Sequence, residues 1–351
     1  MSFLQAIVIG LIQGVTELFP VSSLGHTVLI PALIGGSWGR LVTQEASASS
    51  PYLAFVVGLH VATALALILF FWSEWLRIVR GFVRSLVRRR VETTDERLAW
   101  LIVIATIPVG LLGLVLEHQL RVLFAHPVAA ASFLTLNGVL LITVERLSRN
   151  GRFSRPRRGI VHNLGLSSRP DASLSPTRKG LAALGAVTRA ESPASITADS
   201  LGSPVRRAGP GAPAQAETVP APRRVGDLGV SDAVGIGIAQ SAALLAGISR
   251  DGICMVVGLT RGLTREDAAR FAFLLSAPPI LAAGVLKIPD LLGPLGAGIR
   301  PQILVGSVAA FVAALVAVGF LTRYFRTRSL WPIGCYCVVF GVVCLLRFGL
   351  G

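Results

Sequence analysis

The sequence predicts an all-α polytopic membrane protein with an inverted-topology repeat, in which each half consists of a re-entrant helical hairpin and three transmembrane helices. Three observations lead to this prediction. Hydrophobic residues make up 53% of the 351 residues, and the mean hydropathy of +0.69 is too high for a soluble globular protein. Apolar segments of spanning length recur along the chain. The second half repeats the order of the first.

The apolar segments form two equivalent series. In the first half they are residues 4–35, 53–75, 98–117 and 128–146, and in the second half they are residues 231–262, 268–287, 302–322 and 331–348. The first segment of each series is interrupted, at "FPVSS" and at "AGISRDG". Each of its pieces is therefore shorter than the ~20 residues that a spanning helix needs. We expect these two segments to be re-entrant hairpins and the other segments to be transmembrane helices.

A direct comparison of the two halves supports the repeat. A shift of 227 positions superposes the pattern G-x-x-Q-x8-S-x-x-G in both hairpins. Over twenty-one positions it aligns seven identical pairs, namely Ala6/Ala233, Ile9/Ile236, Gly10/Gly237, Gln13/Gln240, Leu18/Leu245, Ser22/Ser249 and Gly25/Gly252. Chance similarity within a limited apolar alphabet is the alternative, and the matched polar residues argue against it.

The positive charge is concentrated in two segments. The net charge is +15, and residues 77–97 contain seven arginines against three acids, while residues 146–228 contain fourteen basic residues against five acids. Under the positive-inside rule both segments are cytoplasmic loops, which argues against a nucleic-acid-binding protein. The first hairpin then opens outward and the second inward, so the halves are inverted repeats with a site near the midplane of the membrane.

The chain accordingly divides into three parts. Residues 1–146 form the first membrane repeat, and residues 229–351 form the second, inverted repeat. Residues 147–228 are rich in Pro, Ser, Ala, Gly and Arg without sustained periodicity. This composition predicts a disordered basic cytoplasmic loop.

The first hairpin contains an unusual set of polar residues in "QGVTELFPVSSLGHTVL". Gln13 and Glu17 are four residues apart and share one face of a helix. Ser22 or Ser23 caps the next helix. On that helix Ser23 and His26 project together toward Glu17. Ionisable residues within a membrane usually mark a functional site, and the alternative is a satisfied cap with a buried, hydrogen-bonded histidine.

The second hairpin supplies positive charge in "GISRDG". Ser249 and Arg250 begin a short helix, and Gly252 allows close backbone approach. Helix N-termini and a guanidinium both bind anionic oxygens, so we expect a phosphate or diphosphate here. A structural ion pair between Arg250 and Glu17 is the alternative. Asp251 either tempers the positive field or caps the helix.

Other polar residues are assigned structural roles. In "GLTREDAAR" Thr264 is predicted as an N-cap, with Glu266 and Asp267 in the first turn of a helix. Three further histidines have no partner at a useful spacing and are not expected to be catalytic, namely His60, His118 and His126.

The two hairpin motifs resemble those of the undecaprenyl-diphosphatase family, the bacitracin-resistance membrane phosphatases of bacterial cell-wall lipid recycling. "QGVTELFPVSSLGH" is similar to the family's [E/Q]-G-x-T-E-F-L-P-V-S-S-T-G-H, and "AGISRDG...GLTREDAARFAFLLSAP" to its P-G-x-S-R-S-G...G-L-S-R-E-D-A-A-R-F-S-F-L-L-S-x-P. The resemblance covers residues 1–146 and 229–351. The chain departs from the family pattern at Leu24, Ala246, Asp251 and Cys254. In the second motif, the changes at Asp251 and Cys254 remove two hydroxyls, and Asp251 adds a carboxylate next to Arg250.

The resemblance implies hydrolysis of undecaprenyl diphosphate to the monophosphate and phosphate at the outer face of the bacterial plasma membrane. It implies that Glu17 is the essential acidic residue and Arg250 the phosphate-binding arginine. Ser23 would be the nucleophile or a phosphate ligand, with His26 as its acid/base partner. Whether Ser23 or a water molecule attacks is left open.

We also expect ligands around this site. Substrate-binding residues are predicted to be Gln13, Ser22, Ser249 and Gly252. A divalent cation, Mg²⁺ or Ca²⁺, is expected near Glu17, with Gln13 as a further ligand, where it would neutralise phosphate charge. The expected partners are the polyprenyl diphosphate and membrane lipids but no nucleic acid, with a homodimer as one option.

A polyprenyl-phosphate flippase or a proton-coupled transporter is the rival class of function. Inverted repeats with broken helices are a transport architecture, and Glu17 with His26 could relay protons. Phosphate release by the purified protein separates the two, because a flippase produces none.

Overall fold

The structure is a computed structural model that describes residues 1–45, 51–124, 126–149, 223–293 and 298–350. Within these ranges its regular structure is helical, apart from an isolated β-bridge between Arg223 and Leu263. The α-helices are α1 (Phe3–Leu18), α2 (Ser23–Ile34), α3 (Gly36–Glu45), α4 (Pro51–Phe70), α5 (Trp72–Arg88), α6 (Thr94–Phe124), α7 (Pro127–Arg149), α8 (Val230–Gln240), α9 (Arg250–Thr260), α10 (Arg265–Leu292), α11 (Arg300–Thr327) and α12 (Trp331–Gly349). Short 3-10 helices at Val225–Asp227 and Ser241–Leu244 lie before and after α8.

Several of these helices are long and apolar enough to cross a bilayer. Among the described helices there are five, α6, α7, α10, α11 and α12, and α4 together with α5 is a sixth candidate. Five predicted transmembrane segments each fall within one of these five helices, namely 98–117, 128–146, 268–287, 302–322 and 331–348. The all-helical, multi-pass membrane architecture is therefore confirmed.

The first predicted transmembrane helix, 53–75, and the segment after it differ from the prediction. The segment 53–75 is not one straight span, because the chain bends by 88° between Ala54–Phe70 and Trp72–Arg88. The segment 77–97, predicted as a loop, is largely the helix α5. Its apolar side chains recur at helical spacing between the arginines, and one face packs against α6. The charges of this segment favour a loop, whereas the periodicity of its apolar side chains favours the helix that is found.

The predicted loop 147–228 lies outside the described residues except at its two ends. At the first end α7 continues to Arg149, whose Nε donates to Glu145 Oε1 at 2.9 Å. At the second end Arg223 donates to the carbonyl oxygen of Arg261 at 3.0 Å and to Asp232 Oδ2 at 2.9 Å. Both ends are thus attached to the helices of the membrane unit.

Both interrupted segments consist of two short helices, as predicted. α1 and α2 have 16 and 12 residues, and α8 and α9 have 11 residues each. The first helix of each pair packs against a helix of the other half of the chain, α1 on α11 and α8 on α6. Gly10 and Gly14 of α1 face the backbone of Gly306 and Ala310, and Gly237 of α8 faces the backbone of Ala105. Small residues at these positions allow the helix backbones to approach closely.

Candidate functional site

Glu17, in the last turn of α1, is the centre of a hydrogen-bonded cluster. Gln13 Nε2 donates to Glu17 Oε2 at 3.0 Å, and the hydroxyl of Ser23 donates to the same oxygen. Nε2 of His60, on α4, lies 3.3 Å from that oxygen. The Glu17 side chain is only 8% exposed, so these partners replace much of the water that would otherwise solvate the carboxylate.

The local sequence explains how Ser23 returns to Glu17. Pro20 cannot continue a helix, and α1 ends before it. Ser22 then adopts φ +68°, a left-handed conformation that is unfavourable for a residue with a side chain. Its Oγ holds the turn by accepting hydrogen bonds from the backbone N–H groups of Gly25 at 3.3 Å and Gly247 at 3.1 Å. The chain reverses at this point and α2 begins with Ser23 beside the end of α1.

Asn137 of α7 joins the tips of the two hairpins. Its Nδ2 donates to the carbonyl oxygen of Pro20 at 3.0 Å, and its Oδ1 accepts from the backbone N–H of Ser249 at 3.1 Å. A Cβ atom built on Gly252 would lie 3.2 Å from Asn137 Oδ1 and 3.3 Å from Pro20 Cβ. Gly252 therefore has little space for a side chain, and the second hairpin lies close against the first at this point.

Arg250, the first residue of α9, is positioned by this contact. Its Nε and Nη1 atoms are buried and have no hydrogen-bond partner among the described residues. The guanidinium attracts the Glu17 carboxylate electrostatically, but within the described part of the chain no ion pair connects them. The alternative of a structural Arg250–Glu17 pair is thus not supported. Buried guanidinium N–H groups of this kind are suited to donate hydrogen bonds to an anionic ligand.

The His26 ring contacts the turn before α2 and the helix α12. Its Nδ1 lies 2.7 Å from the carbonyl oxygen of Ser22, and its Nε2 lies 2.8 Å from the hydroxyl of Tyr336 on α12. The ring stacks on Tyr336 and Phe340, with centroid distances of 5.7 and 5.2 Å. Both ring nitrogens are occupied and the aromatic side chains fix the ring against α12. Glu17 is not among the hydrogen-bond partners that the described residues give this ring.

The remaining predicted ligands hold the backbone in place. Ser22 is the N-cap of α2 and Ser249 the N-cap of α9, where its Oγ accepts from the N–H of Gly252 at 3.1 Å. Asp251 does not cap the helix. Its Oδ1 accepts a 2.5 Å hydrogen bond from Ser276 Oγ, and its Oδ2 is buried without a partner in the described residues. The carboxylate is thus directed to α10.

Three site residues were missed by sequence reasoning. His60 was predicted to have no catalytic partner, and its contact with Glu17 shows that this prediction was wrong about the partner. Asn137 and Tyr336 were not considered. For His60 and Asn137 the available signal was a polar side chain within a predicted span. By contrast, the prediction for Thr264 is confirmed, since its Oγ accepts from the N–H of Asp267 at 3.0 Å.

Oxygen atoms near Glu17 suit a hard divalent cation. The described residues contain no group of three or more His, Cys, Asp and Glu side chains that could hold a metal ion. Glu17 and Gln13 are nevertheless oxygen donors, and Gln13 Oε1 is buried with no hydrogen-bond partner in the described ranges. Mg²⁺ and Ca²⁺ accept such ligands when phosphate oxygens and water complete the coordination. The residues therefore fit a cation that binds together with a phosphate.

Known proteins of one family are similar to this chain over its whole length. The sequence profile of the family described as "Bacitracin resistance protein BacA" matches residues 6–168 and 212–343. Undecaprenyl-diphosphatase 2 of Frankia alni is 51% identical over 100% of this chain and 99% of its own length. Undecaprenyl-diphosphatase of Mycolicibacterium paratuberculosis is 49% identical over 100% of this chain and 98% of its own. The protein of that name from Acidiphilium cryptum is 35% identical over 100% of both chains.

Proposed function

Because this chain belongs to the bacitracin resistance protein BacA family, we propose that it is a membrane undecaprenyl-diphosphatase. It hydrolyses undecaprenyl diphosphate to the monophosphate and phosphate, as the names of its relatives indicate for those proteins. The reaction recycles the lipid carrier for peptidoglycan synthesis and confers bacitracin resistance. Two observations carry this proposal together, the buried Nε and Nη1 atoms of Arg250 that have no partner in the described residues and the Ser23–Glu17 hydrogen bond.

The arrangement suits binding of a terminal phosphate. The Nε and Nη1 groups of Arg250, which have no partner in the described residues, can donate charge-assisted hydrogen bonds to phosphate oxygens. Their burial strengthens the attraction, because little water competes. In the transition state negative charge increases on the same oxygens, so the guanidinium favours the transition state over the substrate.

Ser23 and Glu17 provide the nucleophile and its base. When Ser23 Oγ attacks the terminal phosphorus, its proton passes to Glu17 Oε2, to which it is already hydrogen-bonded. The bond from phosphorus to the bridging oxygen breaks and undecaprenyl monophosphate leaves. Water then hydrolyses the phosphoserine and releases phosphate. In the alternative, water attacks directly, gives its proton to Glu17, and Ser23 binds the phosphate.

His26 takes a different part from the one its sequence position suggested. Since its nitrogens contact Ser22 and Tyr336, we assign the first proton transfer to Glu17. His26 supports the turn that contains Ser22 and so positions Ser23.

A divalent cation would be held by Glu17 and Gln13, whose oxygen atoms fit Mg²⁺ or Ca²⁺. When bound, the cation neutralises phosphate charge. Gln13 would then serve both the cation, through Oε1, and Glu17, through Nε2.

The inverted repeat is part of the proposal. It is supported by the exchanged packing, in which the aligned glycines Gly10 and Gly237 each contact a helix of the opposite half. With the basic residues inside, the protein lies in the bacterial plasma membrane and the site opens toward its outer face.

Phosphate release from undecaprenyl diphosphate by the purified protein in detergent tests this function. We expect release that stops when divalent cations are chelated and that the flippase alternative cannot explain. A second measurement uses substrate labelled in the terminal phosphate and rapid acid quenching. Label on Ser23 identifies serine as the nucleophile, whereas its absence during steady turnover favours water. No phosphate release at all would refute the proposal.

A further inference from the structure

Helix α5 connects α4 and α6 and differs in direction from α4. It follows the apolar, 20-residue helix α4 after a bend of 88°. α6 then begins at Thr94 as another spanning helix. α4 has the length and the apolar composition of a spanning helix, whereas the exposed arginines of α5 are costly within hydrocarbon. With the 88° bend between the two helices, α5 therefore runs nearly parallel to the membrane plane at the level where α4 ends.

One face of α5 is fixed to the rest of the protein. Ile78, Gly81 and Ser85 are buried. Ser85 Oγ accepts a hydrogen bond from Trp100 Nε1 of α6 at 2.9 Å. A Cβ atom on Gly81 would lie 3.0 Å from the backbone nitrogen of Glu96. The orientation of α5 about its own axis is therefore determined by its contact with α6.

The two other faces of α5 are exposed, and they differ in character. The apolar face consists of Val79, Val83, Leu86 and Val87, with exposed fractions of 52%, 53%, 50% and 79%. The basic face consists of the exposed arginines Arg77, Arg80, Arg84 and Arg88, which lie within one strip at 100° per residue. A surface cavity of about 380 Å³ lies along the border of the faces, lined by Val79, Arg80, Val83, Arg84, Val87 and Arg88. An apolar strip beside a basic strip is typical of a helix at the membrane interface.

The charges of the basic face are incompletely neutralised. Arg77 and Arg84 reach Asp95 and Glu96 only at 3.8 Å. Neither Arg80 nor Arg88 forms an ion pair within the described part of the chain. A guanidinium binds phosphate through paired N–H groups, and the adjacent valines offer a surface for acyl chains.

We propose that α5 binds anionic phospholipids, with Arg80 and Arg88 on the headgroup phosphates and Val79, Val83 and Val87 against the acyl chains. This site contains none of the residues of the proposed catalytic cluster. Its ligand is a membrane lipid that is neither the substrate nor the product of the reaction. Two features favour a lipid over a protein partner. An anionic headgroup is complementary in charge to the arginines, and the cavity is lined by both valines and arginines, as the headgroup and the acyl chains require.

The test measures lipid selectivity in reconstituted vesicles. Full-length protein in phosphatidylcholine vesicles receives a trace of spin-labelled phosphatidylglycerol or spin-labelled phosphatidylcholine, and electron spin resonance gives the fraction held at the protein surface. We expect the wild type to prefer phosphatidylglycerol. The double variant Arg80→Gln/Arg88→Gln should reduce this preference about two- to five-fold, and high salt should do the same.

A matched variant controls for general charge. Arg323→Gln/Arg328→Gln removes the same charge from exposed positions near the end of α11 and should leave the preference unchanged. Phosphate release and melting temperature in detergent should be unchanged in both variants, which shows that the fold is intact. Equal affinity of the wild type for the two lipids, or a preference that the Arg80→Gln/Arg88→Gln variant retains, would overturn the proposal. An equal loss in the control variant would do so as well.

Discussion

The proposed base Glu17 is useful only while its Oε2 atom remains directed at Ser23. Three side chains contribute to this orientation, from Gln13 on the same helix, Ser23 on α2 and His60 on α4. Arg250 differs from Glu17, because its Nε and Nη1 atoms are buried with no partner in the described residues. The protein thus preorganises the carboxylate, whereas the guanidinium would gain its hydrogen-bond partners from the proposed phosphate ligand.

We predict that Glu17→Gln and Arg250→Ala each reduce the rate of phosphate release by about 10³-fold or more. Combining them should cost little beyond either change alone, because both residues serve one transition state. Arg250→Lys should recover little, since an ammonium cannot reproduce the paired hydrogen bonds of a guanidinium. Glu266→Gln, at a 51% exposed side chain outside the site, is the control. Near-wild-type rates for either single variant, with an unchanged melting temperature, would remove that residue from the site.

His60 provides a test of how Glu17 is positioned. We predict that His60→Leu lowers kcat about 10- to 100-fold with little change in KM, as for other residues that orient a catalytic group. His60→Gln should recover part of the loss, because its amide can donate to Glu17. His126→Leu replaces an exposed histidine and should have no effect. If His60→Leu changes KM alone, or if kcat is as low in His60→Gln as in His60→Leu, His60 does not orient the carboxylate.

The sequence could identify the residue types of the site but not all of their contacts. Gln13, Glu17 and Ser23 are close along the chain, so helical spacing and one turn suffice to bring them together. His60 is 43 positions from Glu17, and spacing rules carry no information about such a pair. The same holds for the contact of His26 with Tyr336, which lies 310 positions away.

At the scale of the helices, small residues decide how the site is held. Gln13 and Glu17 are on α1, and the position of α1 is set by close contact with α11. A Cβ atom on Gly14 would overlap the carbonyl oxygen of Ala310 and come within 2.7 Å of Ala313 Cβ. Such contacts leave no space for a larger side chain.

We predict that Gly14→Val destabilises the protein by about 1–3 kcal/mol through overpacking. It should also lower phosphate release, because α1 must move away from α11 and would carry Glu17 with it. Gly110→Val is the matched control, since a Cβ atom there has no neighbour within 4 Å outside its own helix. Melting temperature and rate are measured for both. An unchanged melting temperature for Gly14→Val would contradict the close packing of α1 and α11.

Helix positions were more predictable than helix directions. Continuous apolar segments identified five spanning helices, because burial in lipid requires that composition along the whole helix. The 88° bend after α4 left no comparable signal, since the sequence remains apolar across it. Whether a segment such as α5 crosses or follows the membrane depends on its angle to the preceding helix, which is a tertiary property.

At the scale of the whole molecule, each half of the chain completes the other. α1 packs on α11 and α8 on α6, and Asn137 of the first half bonds both Pro20 and Ser249. The proposed catalytic carboxylate of Glu17 and the proposed phosphate-binding guanidinium of Arg250 come from different halves. Neither half alone could form the proposed site, which explains why both must remain in one chain or in close association. The 227-position sequence repeat predicts a correspondence of the halves, but it carries no information about which helices pack against which.

Stability and activity should therefore depend on the length of the segment that connects the halves and not on its sequence. The family profile does not match residues 169–211, and every residue of the proposed site lies outside them. We predict that deletion of 169–211 leaves the rate of phosphate release and the melting temperature close to wild type. The deletion keeps 30 residues between Arg149 and Arg223, enough to span roughly 100 Å when extended.

A longer deletion that also removes Arg223 should lower the melting temperature, because Asp232 is 7% exposed and loses one of its two arginine partners. The two variants are compared after confirming that each is monodisperse in detergent. If the shorter deletion abolishes phosphate release while the protein stays folded, residues 169–211 contribute to the reaction and do more than connect the two halves.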